Sequence, residues 1–438
     1  MPYPKAYPYP DIPDFPRLTS YLTEYARTAV ERGVDPAGAL ATAESALQAA
    51  IVALRDAPAA ADNLARQPSG YADILALRPD APRKLWKTFD EAAYADRLEG
   101  ALLGRIAGCT LGAPVEFWSM ERMEKWAAHN GDDFPPTDYW LATPEPYTVR
   151  YGVSPCSAYT RGGLDGAPVD DDIVYTLLGL LIAEDHGVDF TTDDAGKAWL
   201  KYLPYACTAE DVALKALKAG VPAAQTAEAD NPYLHWIGAD IRADPFGYMA
   251  PGYPEAAARM AYRDAYLSHR QNGIYGEMYF AAVIAAAFAV DNAVDAVKLG
   301  LNEIPRDCDL ARDVAWALEA GKGIRDYKAA REAVDQRFDG MSGVHTNNNA
   351  CLSIFGLMIG DGDFTRAIAH TVAMGLDNDC TAATTGSILG AVLGKSGIPA
   401  RWTENLNNKV HSYFHGTPTF AIDDLLARFA IQARKVYN

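Results

Sequence analysis

The chain has 438 residues, a formal net charge of −18 and 49 % apolar residues, which suits one large or two medium domains with a sizeable core. Its negative field repels phosphate backbones and anionic lipids, so neither nucleic acid nor a membrane is expected as a partner. The six cysteines contain no C-x-x-C pair, the N-terminus lacks a signal-peptide pattern, and no apolar run approaches the roughly 20 residues that span a bilayer. We therefore expect a soluble cytoplasmic protein, with the oligomeric state left open.

The chain begins with a proline-rich arm and a helical extension. Residues 1–16 carry six prolines, which predicts an extended arm that packs on its own domain; a polyproline motif for a partner is the alternative. Ala, Leu and charged residues recur at helical spacing over residues 17–57 and 91–107. Between them, residues 58–90 contain four prolines and are predicted to join the extension to the main domain.

Two long apolar segments of the main domain are predicted to be buried helices. Residues 170–187, DDDIVYTLLGLLIAEDHG, are apolar nearly all round after an acidic start, and residues 276–301 show the same pattern as one helix or two. Period-two patterns are scarce, and the strand candidate YTVRYGV at 147–153 is short and isolated. The sequence therefore predicts an all-α fold.

A third segment, GLDNDCTAATTGSILGAVLG at 375–394, combines glycines with carboxylates. Gly386, Gly390 and Gly394 lie four residues apart and so share one helical face. Each glycine inside a helix costs about 1 kcal/mol relative to alanine. This stripe therefore predicts that another helix approaches its backbone closely.

Two acidic clusters precede buried helices: Asp377 and Asp379 in the C-terminal segment, and Asp170, Asp171 and Asp172 at the start of the first buried helix. One aspartate at such a position is explained as an N-cap. Three consecutive carboxylates exceed what capping needs, and solvent or a divalent cation must relieve their repulsion. Either cluster alone is more typical of a cap or an acidic turn, whereas both together indicate a shared metal site. Carboxylate ligands favour Mg²⁺, Mn²⁺ or Ca²⁺ over zinc.

Three blocks in this order resemble the signature blocks of the ADP-ribosylglycohydrolase family, of the dinitrogenase-reductase-activating type. They are LEGALLGRIAGCTLGAPVEFW (98–118), DDDIVYTL (170–177) and GLDNDCTAATTGSILGAVLG (375–394). The resemblance covers most of the chain after the extension and implies an all-α, ADP-ribosylglycohydrolase-like orthogonal helical bundle. On this basis we predict a catalytic domain over residues 93–438, preceded by the arm and helical extension over residues 1–92.

The resemblance also implies two Mg²⁺ ions, with Mn²⁺ as a substitute, near the centre of the bundle. Carried over by position, the metal ligands are Asp171, Asp172, Asp377 and Asp379, with Asp170 in place of the family's threonine. Glu116 matches a glutamate that in this family reaches toward the metals. We expect Glu116, Asp171 and Asp172 to be the catalytic carboxylates, one of them as general base.

The substrate-binding residues are expected on three further segments. Gly238, in WIGADIRADPFGY, and His269, in YLSHRQNGIYG, fall where relatives touch the distal ribose and diphosphate. Asn347 belongs to VHTNNNACL, where capping and a turn explain one asparagine and the others are candidates for the pocket wall. Two departures from the family pattern are Cys109, where relatives have aspartate, and Cys380, where a serine or threonine oxygen is usual. Thiols are poor Mg²⁺ ligands, so we expect Cys380 to be packed, with a catalytic thiol as the alternative.

The resemblance implies a Mg²⁺-dependent hydrolase that cleaves the ribosyl C1 glycosidic bond of a small-molecule or protein-linked ADP-ribosyl substrate. Two alternatives stay open. One is an N-ribosyl hydrolase of a small nucleoside or nucleotide metabolite, and the other is a non-catalytic ADP-ribose-binding protein. The carboxylates at the metal positions count against the second alternative, whereas the sequence does not separate the two enzyme hypotheses.

Overall fold

Helices dominate the computed structural model, which describes residues 3–228 and 230–438 and is 63 % helical. The α-helices are α1 (Phe15–Glu31), α2 (Ala37–Arg55), α3 (Ala61–Arg66), α4 (Tyr71–Leu77), α5 (Glu91–Gly112), α6 (Met120–Asn130), α7 (Asp171–His186), α8 (Thr192–Tyr202), α9 (Thr208–Lys218), α10 (Asp244–Met249), α11 (Pro254–Ala265), α12 (Asn272–Ala287), α13 (Ala293–Gly300), α14 (Asp309–Ala320), α15 (Tyr327–Arg337), α16 (Thr346–Gly360), α17 (Phe364–Ala373), α18 (Asn378–Leu393) and α19 (Ile422–Tyr437). Short 3₁₀ helices are Ala113–Val115, Cys156–Tyr159, Ala223–Glu228, Ile237–Arg242, Leu301–Glu303, Lys395–Gly397, Ala400–Trp402 and Glu404–Leu406. The strands form two short antiparallel hairpins, β1 (Val149–Arg150) with β2 (Ser154–Pro155) and β3 (Lys409–His411) with β4 (Thr419–Ala421). The predicted all-α fold is confirmed.

The central pair of helices is α5 and α18, which pack backbone against backbone. A Cβ atom at Gly104 would overlap the carbonyl oxygen of Gly386. The same holds one turn further along for Gly390 and the carbonyl oxygen of Gly100. Glycine therefore lets the two helices approach more closely than any side chain would allow. This contact confirms the predicted close packing, although Gly394 lies just past the end of α18, at a φ of +70°.

The other long apolar segments are buried, as the sequence predicts. Every residue of α12 is buried, and α7 is buried from Asp172 to Ala183. The segment 276–301 forms two helices, because α12 ends at Ala287 and α13 begins after Asn292. The Asn292 side chain caps α13 by accepting a hydrogen bond from the Val294 N–H (2.7 Å).

The N-terminal arm lies against its own domain. The Ala6 N–H donates to the carbonyl oxygen of Arg337 (2.7 Å), at the end of α15. The Tyr7 hydroxyl donates to the Asp313 carboxylate of α14 (2.8 Å). The arm therefore packs on its own domain at residues 6 and 7, whereas residues 8–14 are exposed.

The two helices that follow the arm are exposed. Neither α1 nor α2 contains a buried residue. By length and composition alone α2 is long and apolar enough to cross a membrane, with a mean hydropathy of 1.4, a test that core helices of soluble proteins also pass. The absence of a membrane partner therefore stays a prediction.

The β1–β2 hairpin lies close to the start of α7. Arg150 pairs with Ser154, and the Ser154 hydroxyl accepts a hydrogen bond from the Val169 N–H (3.0 Å). The strand candidate at 147–153 is thus reduced to a two-residue strand. Its role is to hold Arg150 and Tyr151 beside the aspartates that begin α7.

Candidate active site

A cavity of ≈ 340 Å³ lies where the end of α5 meets the starts of α7 and α18, a size within the range of small-molecule sites. It is lined by carboxylates, aromatic side chains and small residues: Glu116, Phe117, Tyr151, Asp171, Asp172, Tyr175, Cys207, Thr208, Glu210, Trp236, Ile237, Gly238, Ile241, Val344, Asp377, Asp379 and Cys380. A larger surface cavity of ≈ 580 Å³ around Lys322 and Arg366 has no comparable carboxylate cluster among its described lining residues. The smaller cavity is therefore the candidate site.

The three consecutive aspartates at the start of α7 have three different partners. Asp170 caps the helix, because its Oδ1 accepts a hydrogen bond from the Asp172 N–H (3.2 Å). The Asp171 carboxylate accepts one from the Tyr151 hydroxyl (2.7 Å). Asp172 is held by the buried Arg105, whose Nη2 donates to its Oδ1 (3.1 Å). Asp171 and Asp172 line the cavity, whereas Asp170 is fully buried outside its lining.

The second acidic cluster reaches the same cavity from α18. Asp377 is the N-cap residue of this helix, and its carbonyl oxygen accepts hydrogen bonds from Thr381. Asp379 lies where α18 touches α5, so close that a Cβ atom at Gly112 would be 2.5 Å from the Asp379 Cα. The Asp379 Oδ1 is buried without a hydrogen-bond partner among the residues that the structure describes. A buried orphan oxygen of this kind is available as a cation ligand.

One guanidinium group connects the clusters. Arg150 Nη1 donates to Glu116 (2.8 Å). Its Nη2 donates to Asp170 (2.9 Å) and Asp379 (3.2 Å). Three segments that are far apart in sequence thus meet at one cationic side chain. The structure brings together all the carboxylates predicted as catalytic or metal-binding: Glu116, Asp170, Asp171, Asp172, Asp377 and Asp379.

Burial makes the ionisation of these carboxylates unfavourable. The pKa of Asp171 is raised to about 6, first by burial and then by the charge of Asp170. Burial also raises the pKa of Asp377 and of Asp379 well above the ordinary value, and neighbouring carboxylates add to both shifts. An additional cation would oppose these shifts, since a nearby positive charge favours the ionised form.

The donor atoms fit a hard divalent cation on the cavity side of the cluster. Glu116, Asp377 and Asp379 each offer an oxygen within 4.8 Å of the others, and all three line the cavity. A second group joins two aspartates at the start of α7 to the Cys109 thiol. Carboxylate oxygens suit Mg²⁺ or Mn²⁺, whereas a thiol does not. The group that lines the cavity is therefore the better metal candidate.

Another part of the cavity wall is formed by Gly238, near the start of a 3₁₀ helix. A Cβ atom there would overlap the carboxylate of Glu210 in α9, so glycine is required for this close approach. Glu210 pairs with the buried Arg242. Burial nevertheless raises the pKa of Glu210 to about 7, against the opposing effect of Arg242.

Two predicted substrate residues do not line the cavity. His269 is fully buried, and its Nδ1 shares a hydrogen bond with the Ser268 hydroxyl (2.8 Å). The Asn347 amide donates to the Tyr7 hydroxyl (3.0 Å) and to Asp313 (2.8 Å), so it holds the N-terminal arm. A ligand in the cavity would meet neither side chain in this arrangement, and their role in substrate binding stays a prediction.

Cys109 and Cys380 are buried thiols. Burial raises the pKa of both well above the ordinary value, and nearby aspartates add to the shifts. The thiolate is the reactive form of cysteine. This environment therefore favours the packed role of Cys380 over that of a nucleophile.

Arg150, Tyr151 and Glu210 also belong to this site, and no local sequence pattern points to them. Arg150 has carboxylate partners as far as 229 residues away, and such pairing leaves no local pattern. The available signal was the excess of carboxylates before buried helices. That excess predicts a positively charged partner but does not identify the residue or ion that supplies the charge.

Most of the chain matches a known protein family. The family model described as ADP-ribosylglycohydrolase matches residues 90–435. Among solved structures, one described as an ADP-ribosylglycohydrolase-related protein complex is similar at a TM-score of 0.54 and 18 % identity, over 79 % of this chain and 100 % of the other. At that identity the similarity shows the fold alone. No curated protein matches the chain.

Proposed function

The chain belongs to the ADP-ribosylglycohydrolase family, and from this premise we propose that it is a metal-dependent hydrolase that cleaves the ribosyl C1 glycosidic bond of an ADP-ribosylated substrate or ADP-ribose derivative. The family suggests glycosidic hydrolysis of ADP-ribose-type substrates. The observation that carries the finer proposal is the convergence of Glu116 with the aspartates of α7 and α18 on one cavity. We place this activity in the cytoplasm, because the cysteines of the described chain are free.

Mg²⁺ is the cation that we propose for the site, with Mn²⁺ as a substitute. The side chains of Glu116, Asp377 and Asp379 would hold the Mg²⁺ ion. Asp171 is a further carboxylate that lines the same cavity. A bound Mg²⁺ supplies Lewis acidity toward ribose hydroxyls and a water molecule. Its charge would also relieve the mutual repulsion of the carboxylates.

Asp171 has the properties of a general base. It lines the cavity, and the Tyr151 hydroxyl fixes one of its carboxylate oxygens (2.7 Å). Its pKa of about 6 lies near neutrality, where a carboxylate is ionised and still basic enough to accept a proton from an attacking water. Cleavage at ribose C1 builds positive charge on the sugar, and the surrounding carboxylates stabilise that charge.

The rest of the cavity suits a nucleotide-like substrate. Phe117, Tyr175 and Trp236 supply aromatic surface for a base or ribose. We place the substrate diphosphate against the segment around Gly238, where backbone N–H groups can bind an anion. The scissile ribose then faces the carboxylates.

Calorimetric titration of ADP-ribose into the full chain, first with Mg²⁺ and then with EDTA, tests the proposal. We expect binding that requires Mg²⁺, followed by Mg²⁺-dependent release of ADP-ribose from ADP-ribosylated protein or O-acetyl-ADP-ribose. The substitution Asp377→Asn should abolish both. The matched control is Asp361→Asn, which changes an exposed aspartate at the C-terminus of α16 outside the cavity lining.

Each alternative function has its own outcome. Binding of ADP-ribose without turnover of any substrate would favour the non-catalytic binding protein. Turnover of free nucleosides or nucleotides alone would favour the N-ribosyl hydrolase. Full activity of Asp377→Asn in the presence of EDTA would exclude the metal site described above.

A further inference from the structure

Arg150 places a permanent positive charge inside the acidic cluster. Its side chain is 16 % exposed and pairs with one carboxylate from each of three segments: Glu116, Asp170 and Asp379. Its Nη1 also donates to the carbonyl oxygen of Ala113 (3.0 Å), so both terminal nitrogens of the guanidinium are fixed. An arginine side chain does not lose its proton in proteins, and the charge is therefore always present.

The contacts of Arg150 divide the cluster into an inner side and a cavity side. On the inner side, Asp170 is fully buried, with one oxygen bound to Arg150 and the other to the Asp172 N–H. Asp172 borders the cavity but is tied to Arg105, through both its carboxylate and its carbonyl oxygen. Asp170 and Asp172 are thus each paired with a guanidinium group, which supplies the positive charge that a metal ion would otherwise provide.

The cavity side is different. Glu116, Asp377 and Asp379 lie close together there, and Arg150 binds only one oxygen of Glu116 and one of Asp379. The remaining Asp379 oxygen, Oδ1, is buried and has no hydrogen-bond partner within residues 3–228 and 230–438. Ligand atoms for a cation therefore remain on this side, next to the space for a substrate.

We propose that Arg150 takes the place of one of the two divalent cations that the family resemblance implies, so that the chain binds a single ion on the cavity side. This inference rests on the metal-binding part of the proposed function. A guanidinium group compensates the inner carboxylates without ligand exchange. The inner side therefore keeps its arrangement whether or not the cavity-side ion is bound.

Binding of Mn²⁺ to the full chain tests the stoichiometry. Mn²⁺ is paramagnetic, and two such ions held by one carboxylate cluster couple magnetically, which electron paramagnetic resonance detects without any turnover. We expect one tightly bound ion per wild-type chain and an uncoupled spectrum. Arg150→Met removes the charge and keeps much of the side-chain length, so it should bind two ions with a coupled spectrum. Arg150→Lys retains a charge and should bind one.

The matched control is Arg161→Met. Arg161 pairs with Asp138 (3.0 Å) and Asp132 (3.6 Å), outside the cluster, so its loss should leave one ion per chain. Circular dichroism checks that each variant is folded; if Arg150→Met is not, the wild-type and Arg150→Lys counts decide. Two ions in the wild type, or one ion in folded Arg150→Met, would overturn the inference and leave the metal site intact. No binding in any variant would overturn the metal dependence of the proposed function as well.

Discussion

Replacing Gly386 by alanine should destabilise the protein, although alanine is the better helix former by about 1 kcal/mol. The added Cβ atom would overlap the carbonyl oxygen of Gly104 and lie 2.8 Å from its carbonyl carbon, whereas ordinary contact begins at 3.4 Å. Both atoms belong to the backbone of α5 and have no rotamer to change. Relieving the contact with the carbon alone needs about 0.6 Å, and the oxygen is closer still, so the two central helices must separate by more than that at this point.

Overpacking a core costs about 1–3 kcal/mol, and the upper end applies where the neighbour is backbone. After the propensity gain, we expect a net loss of about 2 kcal/mol. For the domain over residues 90–435, the unfolding entropy is roughly 0.7 kcal/mol/K, so this loss of stability lowers Tm by about 3 °C. Calorimetry and urea denaturation measure it. The control is Gly38→Ala in α2, where a Cβ atom meets nothing within 4 Å, so only the gain in helix propensity remains and Tm should not fall. Wild-type stability in Gly386→Ala would refute the backbone contact between α5 and α18.

Three further changes test the site and the arm. Asp379→Asn removes a carboxylate from the cavity-side group and should weaken Mg²⁺ binding at least about tenfold; calorimetry that finds wild-type affinity would contradict its role as a ligand. Burial raises the pKa of Glu210 from 4.5 to about 7. Its contribution to stability is therefore present below pH 4.5 and lost as the pH rises through 7. In urea unfolding between pH 4.5 and 8, the wild type should lose stability relative to Glu210→Gln. Parallel stability profiles of the two proteins would contradict the raised pKa. Tyr7→Phe removes the hydroxyl that binds Asp313 and Asn347 and should cost about 1–2 kcal/mol. Tyr9→Phe, whose hydroxyl has no hydrogen bond among the described residues, should cost less, and equal losses would mean that the Tyr7 bonds do not matter.

The helices could be predicted from local sequence, whereas the partners of the charged side chains could not. The spacing of Gly386 and Gly390 places both on one face of a helix, and that information is local. The partners of Arg150 lie 20, 34 and 229 residues away in sequence. Only the fold brings these residues together, so the sequence around residue 150 could not predict the partners of Arg150.

The acidic clusters and the asparagines show how far local patterns reach. The order of three motifs predicted that the aspartates of α7 and α18 share a site, and they do line one cavity; their spacing alone carried no such information. Asn347 lies at the start of a buried helix, as its pattern indicates. Its partner is Tyr7, which is 340 residues earlier. The hydrogen bond of the Asn347 side chain therefore depends on Tyr7, near the N-terminus, and could not be predicted from the residues around Asn347.

The exposed position of α1 and α2 has a consequence for how the molecule opens. Helices in proteins gain most of their stability from the tertiary packing of one face rather than from intrinsic propensity, and this holds for α1 and α2 with their 17 and 19 residues. Neither α1 nor α2 contains a buried residue to supply that packing. Their amide hydrogens should therefore exchange with solvent through local opening, whereas those of α18 should exchange only through a much larger unfolding event. Residues 15–55 would melt and re-form as a unit of their own while the carboxylate cluster stays folded.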